Sequence, residues 1–210
     1  MPDDARRHQT ALRDKLPQML ALLERLVNTD SGSYCKAGVN EVGALLSEEL
    51  ARTGFAITRH PMQPCGGQVD ARLSLKGKGR LLVLGHMDTV WPEGAVAHWR
   101  FAQNGGTATG PGVGDMKGGV VMAIFALREL LAAGFDTLES IRFFLVPDEE
   151  LGSIHSRPAI EAAARQVMAT VYREAFVFEA FRSIAASVCN SPLPISSIGR
   201  PRSKSPLTSA

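Results

Sequence analysis

The chain has 210 residues, enough to bury one sizeable core or to form part of a larger two-domain design. Its 45% hydrophobic and 21% charged content is ordinary for a soluble globular protein, and a formal charge of +2 is too small to suggest nucleic acid as a partner. Cys35, Cys65 and Cys189 lie far apart and form no CxxC, so they predict neither a disulfide framework nor a cysteine zinc site, which fits a reducing compartment.

At the N-terminus, MPDDARRHQT carries acids and no apolar core, unlike a secretory signal. No apolar run is long enough to span a bilayer, so the expectation is a cytoplasmic protein with no membrane partner. From Ala11 to Val27 the residues Leu12, Leu16, Met19, Leu20, Leu23 and Leu26 recur at helical spacing, with Pro17 marking a bend or a helix start. Asn28 to Ser33 reads as a loop. A second helix is predicted over about Val39 to Arg52, stopped by Gly54. Phe55–Arg59 and Val69–Leu75 read as strands, the second alternating like a strand with one wet face. A turn at Lys76–Gly79 leads to Leu81–Leu84, which reads as a buried, central parallel strand ended by Gly85.

Between Trp91 and Thr107 an irregular loop with an edge strand is expected. Lys117 to Ala133 reads as a well-buried helix, apolar on most sides and ended by Gly134. Ile141–Val146 is another buried strand. A short helix should follow Ser156, and Phe176–Phe178 reads as one more strand. There is no internal repeat. From Ser183 to Ala210, eight serines and four prolines occur without an acid, and the composition predicts a disordered tail.

The chemistry collects at strand ends. His86 and Asp88 follow the Leu81–Leu84 run, Glu149 and Glu150 follow Ile141–Val146, and Glu179 follows Phe176–Phe178. Asp115 joins them from the glycine-rich loop ahead of the buried helix. In a parallel sheet these positions share the edge where ligands bind. One imidazole with several carboxylates suits zinc or another divalent ion, and an acid near a ligating histidine fixes its tautomer and orientation. Asp88 fits that part, although an acid beside a ligand can also be one itself. Two adjacent glutamates in extended chain point opposite ways, leaving one for metal and one as general base. Phosphate binding fits the glycine-rich loop poorly, because Met116 and Gly118 stand where a P-loop needs glycine and a hydroxyl residue. His60, His98 and His155 have no acid at comparable spacing and read as ordinary residues.

Three motifs in order carry a family resemblance. His86-Met87-Asp88-Thr89-Val90, then Gly110-Pro111-Gly112 with Asp115-Met116-Lys117-Gly118-Gly119, then Asp148-Glu149-Glu150-Leu151-Gly152-Ser153 resemble the dinuclear-zinc peptidases and deacylases. That family includes glutamate carboxypeptidase, acetylornithine deacetylase and succinyl-diaminopimelate desuccinylase. The likeness covers about Leu12 to Arg182, and the Asn28–Ser33 loop resembles the glutamate carboxypeptidase branch. It implies an α/β fold: part of a zinc-exopeptidase catalytic domain, with a mostly parallel or mixed central sheet flanked by helices. By the same resemblance His86 is a ligand of one zinc and Asp88 orients it. Asp115 bridges two zincs, Glu149 is the general base, Glu150 binds the second zinc, and Glu179 completes the first. The implied reaction is hydrolysis of an amide bond in a small peptide or N-acyl amino acid.

The chain also departs from that family. Relatives interrupt the catalytic domain with a smaller dimerisation or lid domain and then resume it to supply a last histidine ligand. Here no histidine follows His155. The expectation is therefore an N-terminal part of the catalytic domain over residues 1–182, without the inserted domain and its dimer contact, followed by a tail over 183–210. The second zinc would lack its imidazole, leaving activity impaired or reduced to a non-catalytic remnant that binds at most one metal.

Overall fold

The helical spacing of the leucines near the N-terminus builds two helices. In the computed structural model, which describes residues 2–171, α1 spans Pro2–Asp14 and α2 spans Leu16–Val27, with Lys15 between them. Pro17 sits in the first turn of α2, where its missing N–H costs no helical hydrogen bond. Helix α3 (Lys36–Arg52) ends at Gly54, whose φ of +96° is readily reached only without a side chain.

Strands β1 (Ala56–His60), β2 (Gln68–Ser74) and β3 (Arg80–His86) follow. Next come a short helix α4 (Ala95–His98) and a hairpin of β4 (Ala102–Asn104) and β5 (Thr107–Thr109), where an irregular loop with an edge strand is expected from sequence. A tight turn over Val113–Lys117 leads into α5 (Gly118–Ala132), then β6 (Ser140–Val146) and α6 (Arg157–Val171). At 15 residues, α6 is longer than the short helix that the sequence suggests. The expected strand at Phe176–Phe178, Glu179 and the tail from Ser183 lie outside the described residues.

The main sheet has the order β1-β2-β6-β3, with β3 parallel to β6 and the other pairs antiparallel, so the sheet is mixed. Alternation along the strands sorts side chains into two layers. Ile141, Phe143 and Leu145 join Val69, Ala71 and residues of α1, α2, α3 and α5 in the main core. Phe144 and Val146 face the other way, onto Ala163 of α6, with Leu82 packed beside them. No helix among the described residues is long and apolar enough to cross a membrane.

One strand expectation is corrected and another holds over half its length. Strand β3 is an edge strand of the sheet among the described residues, and Leu84 is 43% exposed; β6 takes the central place. The apolar run of β3 reflects coverage of both faces, Leu81 and Val83 on the main core and Leu82 under α6, not a neighbour on each side. Strand β2 keeps the expected wet face at Arg72 and Ser74, with Leu73 turned to the core, but loses it at its start, where Gln68 to Ala71 are all buried. Asp70 is buried there because Arg72 and Arg142 both hydrogen-bond its carboxylate.

Candidate metal centre

The parallel pairing of β3 with β6 sets His86 opposite Val146, and the ladder continues with Met87 N–H donating to the Val146 carbonyl. Whatever follows β6 therefore meets whatever follows β3. His86 is the last residue of β3, one beyond the Gly85 at which the sequence suggests the strand stops. Beside them lies the 28–35 loop, joined by Thr89 N–H donating to the Ser31 carbonyl and by a parallel bridge between Gly32 and Thr89. Gly32 is needed there, because a Cβ would stand 2.4 Å from the Trp91 carbonyl oxygen.

His86 is buried and its two ring nitrogens have different partners. Nδ1 donates to the main-chain carbonyl of Asp88 at 3.0 Å and lies 3.3 Å from the Asp88 carboxylate. Nε2 faces Asp115 Oδ1 at 3.0 Å and Glu149 Oε2 at 3.9 Å. Burial pushes the imidazole pKa down, but the hydrogen bonds to Asp88 and Asp115 and the Asp88 charge outweigh it and raise it to about 9.

Asp88 is fully buried, and its carboxylate is saturated. Oδ2 accepts from Ser33 Oγ at 2.7 Å and from the Glu150 N–H at 3.1 Å, while Oδ1 accepts from the Glu149 N–H at 3.1 Å. Burial pushes its pKa up, yet His86, Ser33 and the Glu150 amide together hold it below the usual carboxylate range. These bonds tie Asp88 to its neighbours on both strand ends and on the 28–35 loop.

Glu149 and Glu150 do not stand in extended chain as expected. They open a 3-10 turn over Glu149–Leu151, because Asp88 gathers both amides and the buried Asp148 holds the next loop. Asp148 accepts from the His155 and Ser156 N–H groups and from the Ser156 hydroxyl. The turn still brings both glutamates to the histidine: one ligand atom each of His86, Glu149 and Glu150 lies within 4.8 Å of the others. Burial, together with the charges of Asp115, Asp88 and Glu149, raises the Glu150 pKa despite the pull of His86. Asp115 is 79% exposed and touches the group through His86.

This donor set fits a divalent ion. It offers a pre-oriented imidazole nitrogen with carboxylate oxygens converging on it, and zinc favours such nitrogen and oxygen ligands. Glu179 lies outside the described residues. Sequence reasoning missed Ser33 and Asp148 as supports. In the sequence Ser33 reads only as part of a loop and Asp148 only as the head of a motif; an aspartate directly ahead of two glutamates at a strand end is the available signal.

The model of Peptidase family M20/M25/M40 matches residues 82–194. Carboxypeptidase G2 of Pseudomonas sp. (strain RS-16) is 33% identical over 157 residues, 74% of this chain and 38% of that protein. Succinyl-diaminopimelate desuccinylase of Methylobacterium sp. (strain 4-46) is 34% identical over 160 residues, 71% of this chain and 39% of that protein. Among solved structures, human carnosine dipeptidase 1 superposes with a TM-score of 0.68 at 20% identity, over 80% of this chain and 39% of that one. The M20 family metallo-carboxypeptidase Sso-CP2 from Sulfolobus solfataricus gives 0.61 at 20% identity, over 71% and 35%. The fold is therefore that of a metallopeptidase catalytic domain, in part. The chain belongs to peptidase family M20/M25/M40 and spans just under two fifths of the curated relatives it matches.

Proposed function

We propose that this chain carries the amide-hydrolysing site of an M20-type metallopeptidase, with zinc as the ion and a small peptide or N-acyl amino acid as substrate. The observation that carries the reading is the convergence of His86, Glu149 and Glu150 within 4.8 Å beside an imidazole whose other nitrogen is already committed. His86, Asp115 and Glu150 would hold zinc, with Glu179 as a further ligand by family resemblance. A bound divalent ion supplies Lewis-acid polarisation of a carbonyl and makes water a better nucleophile.

The protein's own groups do the rest. Asp88 fixes the His86 ring and, through two amides, the turn that presents both glutamates. Glu149 is more exposed than His86 and takes the proton from the attacking water, then returns it to the leaving nitrogen. The names of the relatives, a carboxypeptidase, a desuccinylase and a dipeptidase, support a small acylated or peptidic substrate.

The test is hydrolysis of a panel of N-acyl amino acids, dipeptides and folate-like glutamates by the 210-residue chain with zinc supplied, beside Glu149→Gln. Turnover is expected well below the roughly 10 per second typical of enzymes, since one imidazole serves the group, and it should vanish in the variant. Zinc bound at His86 with no hydrolysis at all would favour a metal-binding, non-catalytic role. Hydrolysis indifferent to Glu149→Gln would remove the assigned base.

A further inference from the structure

Lys117 is 2% exposed, among the largest side chains that the fold buries, and it lies two residues after Asp115. Its ammonium donates to the Leu26 carbonyl at 2.8 Å and the Thr29 carbonyl at 3.0 Å. Leu26 lies in the last turn of α2 and Thr29 just past its cap, where helix-end carbonyls and the helix dipole favour a cation. Burying an ammonium costs several kcal/mol, and an apolar residue of similar volume would fill the same space without that cost. The charge therefore specifies something that packing alone would not.

What lies next to it is the loop that carries Asp115. The Lys117 N–H donates to the Gly112 carbonyl at 2.9 Å, and the His86 N–H approaches Met116 Sδ at 3.2 Å. Asp115 itself projects outward, and His86 is its hydrogen-bond partner, so its place is set by its backbone. Gly112, at φ +71°, lets this loop close: a Cβ there would stand 2.5 Å from Thr89 Cγ2.

We infer that Lys117 is a positioning residue for Asp115, its buried ammonium pinning the Val113–Lys117 turn to the end of α2 so that the Asp115 carboxylate faces His86. This rests on the metal reading of the site. The role is reached through the loop; Lys117 has no part in touching substrate or ion.

The experiment is a double-mutant cycle on the 210-residue chain, read by zinc competition with a chromogenic chelator and by thermal melting. Lys117→Met should weaken zinc binding by about 10- to 100-fold, the range for outer supports of a metal site. In an Asp115→Ala background the same change should weaken it no further, because the residue it acts through is gone. Equal loss in both backgrounds, or none in either, overturns the inference while leaving the metal site standing. If Lys117→Met does not fold, Lys117→Gln, which keeps a donor without the charge, takes its place in the cycle with the same two outcomes. Wild-type chain that takes up no zinc overturns the metal reading and this inference together.

Discussion

Ser33 donates its hydroxyl to Asp88 Oδ2 at 2.7 Å across 55 residues of sequence, inside a site where Asp88 is fully buried. This bond joins the loop after α2 to the edge of the sheet on which the histidine stands. Losing it leaves one lobe of a buried carboxylate short of a donor. Ser33→Ala should therefore cost about 1–3 kcal/mol, the usual penalty for an unpaired buried partner. A thermal melt measures it. An unchanged midpoint would mean that the remaining amide donors satisfy Asp88 without Ser33.

Asp70 governs an acid sensitivity of the sheet through its two arginines. Burial pushes its carboxyl pKa up, but hydrogen bonds from Arg72 and Arg142, with their charges, hold it below the ordinary value of 3.8. A carboxylate depressed in the folded state adds stability that is fully present above the unfolded pKa and fades as pH falls through the folded one. Asp70→Asn should cost about 2–3 kcal/mol at neutral pH, from lost hydrogen bonds to charged groups. The gap between wild type and variant should then narrow as pH drops below about 3.8. Melts across a pH series test this, and a gap that stays constant down to the acid limit would contradict it.

Gly112 sits where the metal-side loop presses on Thr89, at a positive φ. Gly112→Ala should destabilise by roughly 1–3 kcal/mol, from backbone strain and the short contact with Thr89 Cγ2. It should also weaken zinc uptake, since Thr89 neighbours Asp88 and Lys117 packs on the same glycine. Ordinary melting with normal zinc affinity would show that the turn relaxes freely.

Much of the site was legible because its residues stand at strand ends, and strands are short apolar runs that end at recognisable places. His86, Asp88, Glu149 and Glu150 come together since β3 and β6 are parallel and in register at His86 and Val146. What sequence could not give was the partner across the chain. Ser33 and Lys117 meet the site through contacts spanning 55 to 91 residues, which no local spacing encodes. Strand order was equally hidden: Leu81–Leu84 and Ile141–Val146 both read as short, mostly apolar runs, yet among the described residues one is at the edge and the other inside the sheet. The extended reading of Glu149-Glu150 failed for a similar reason, because the 3-10 turn is imposed by a distant carboxylate. Asp70 interrupts the wet face of β2, which resumes at Arg72 and Ser74, because two arginines hold its buried carboxylate.

The central claim is that His86 anchors a zinc site with the carboxylates around it. The most direct measurement is zinc stoichiometry of the metal-stripped, repurified 210-residue chain by equilibrium dialysis and elemental analysis, beside His86→Ala, with circular dichroism to verify that both are folded. Zinc ligation by one imidazole and carboxylates predicts at least about one equivalent bound by wild type and loss of it in the variant. A folded wild-type chain that binds no zinc, or a folded His86→Ala chain that binds as much as wild type, would contradict the account.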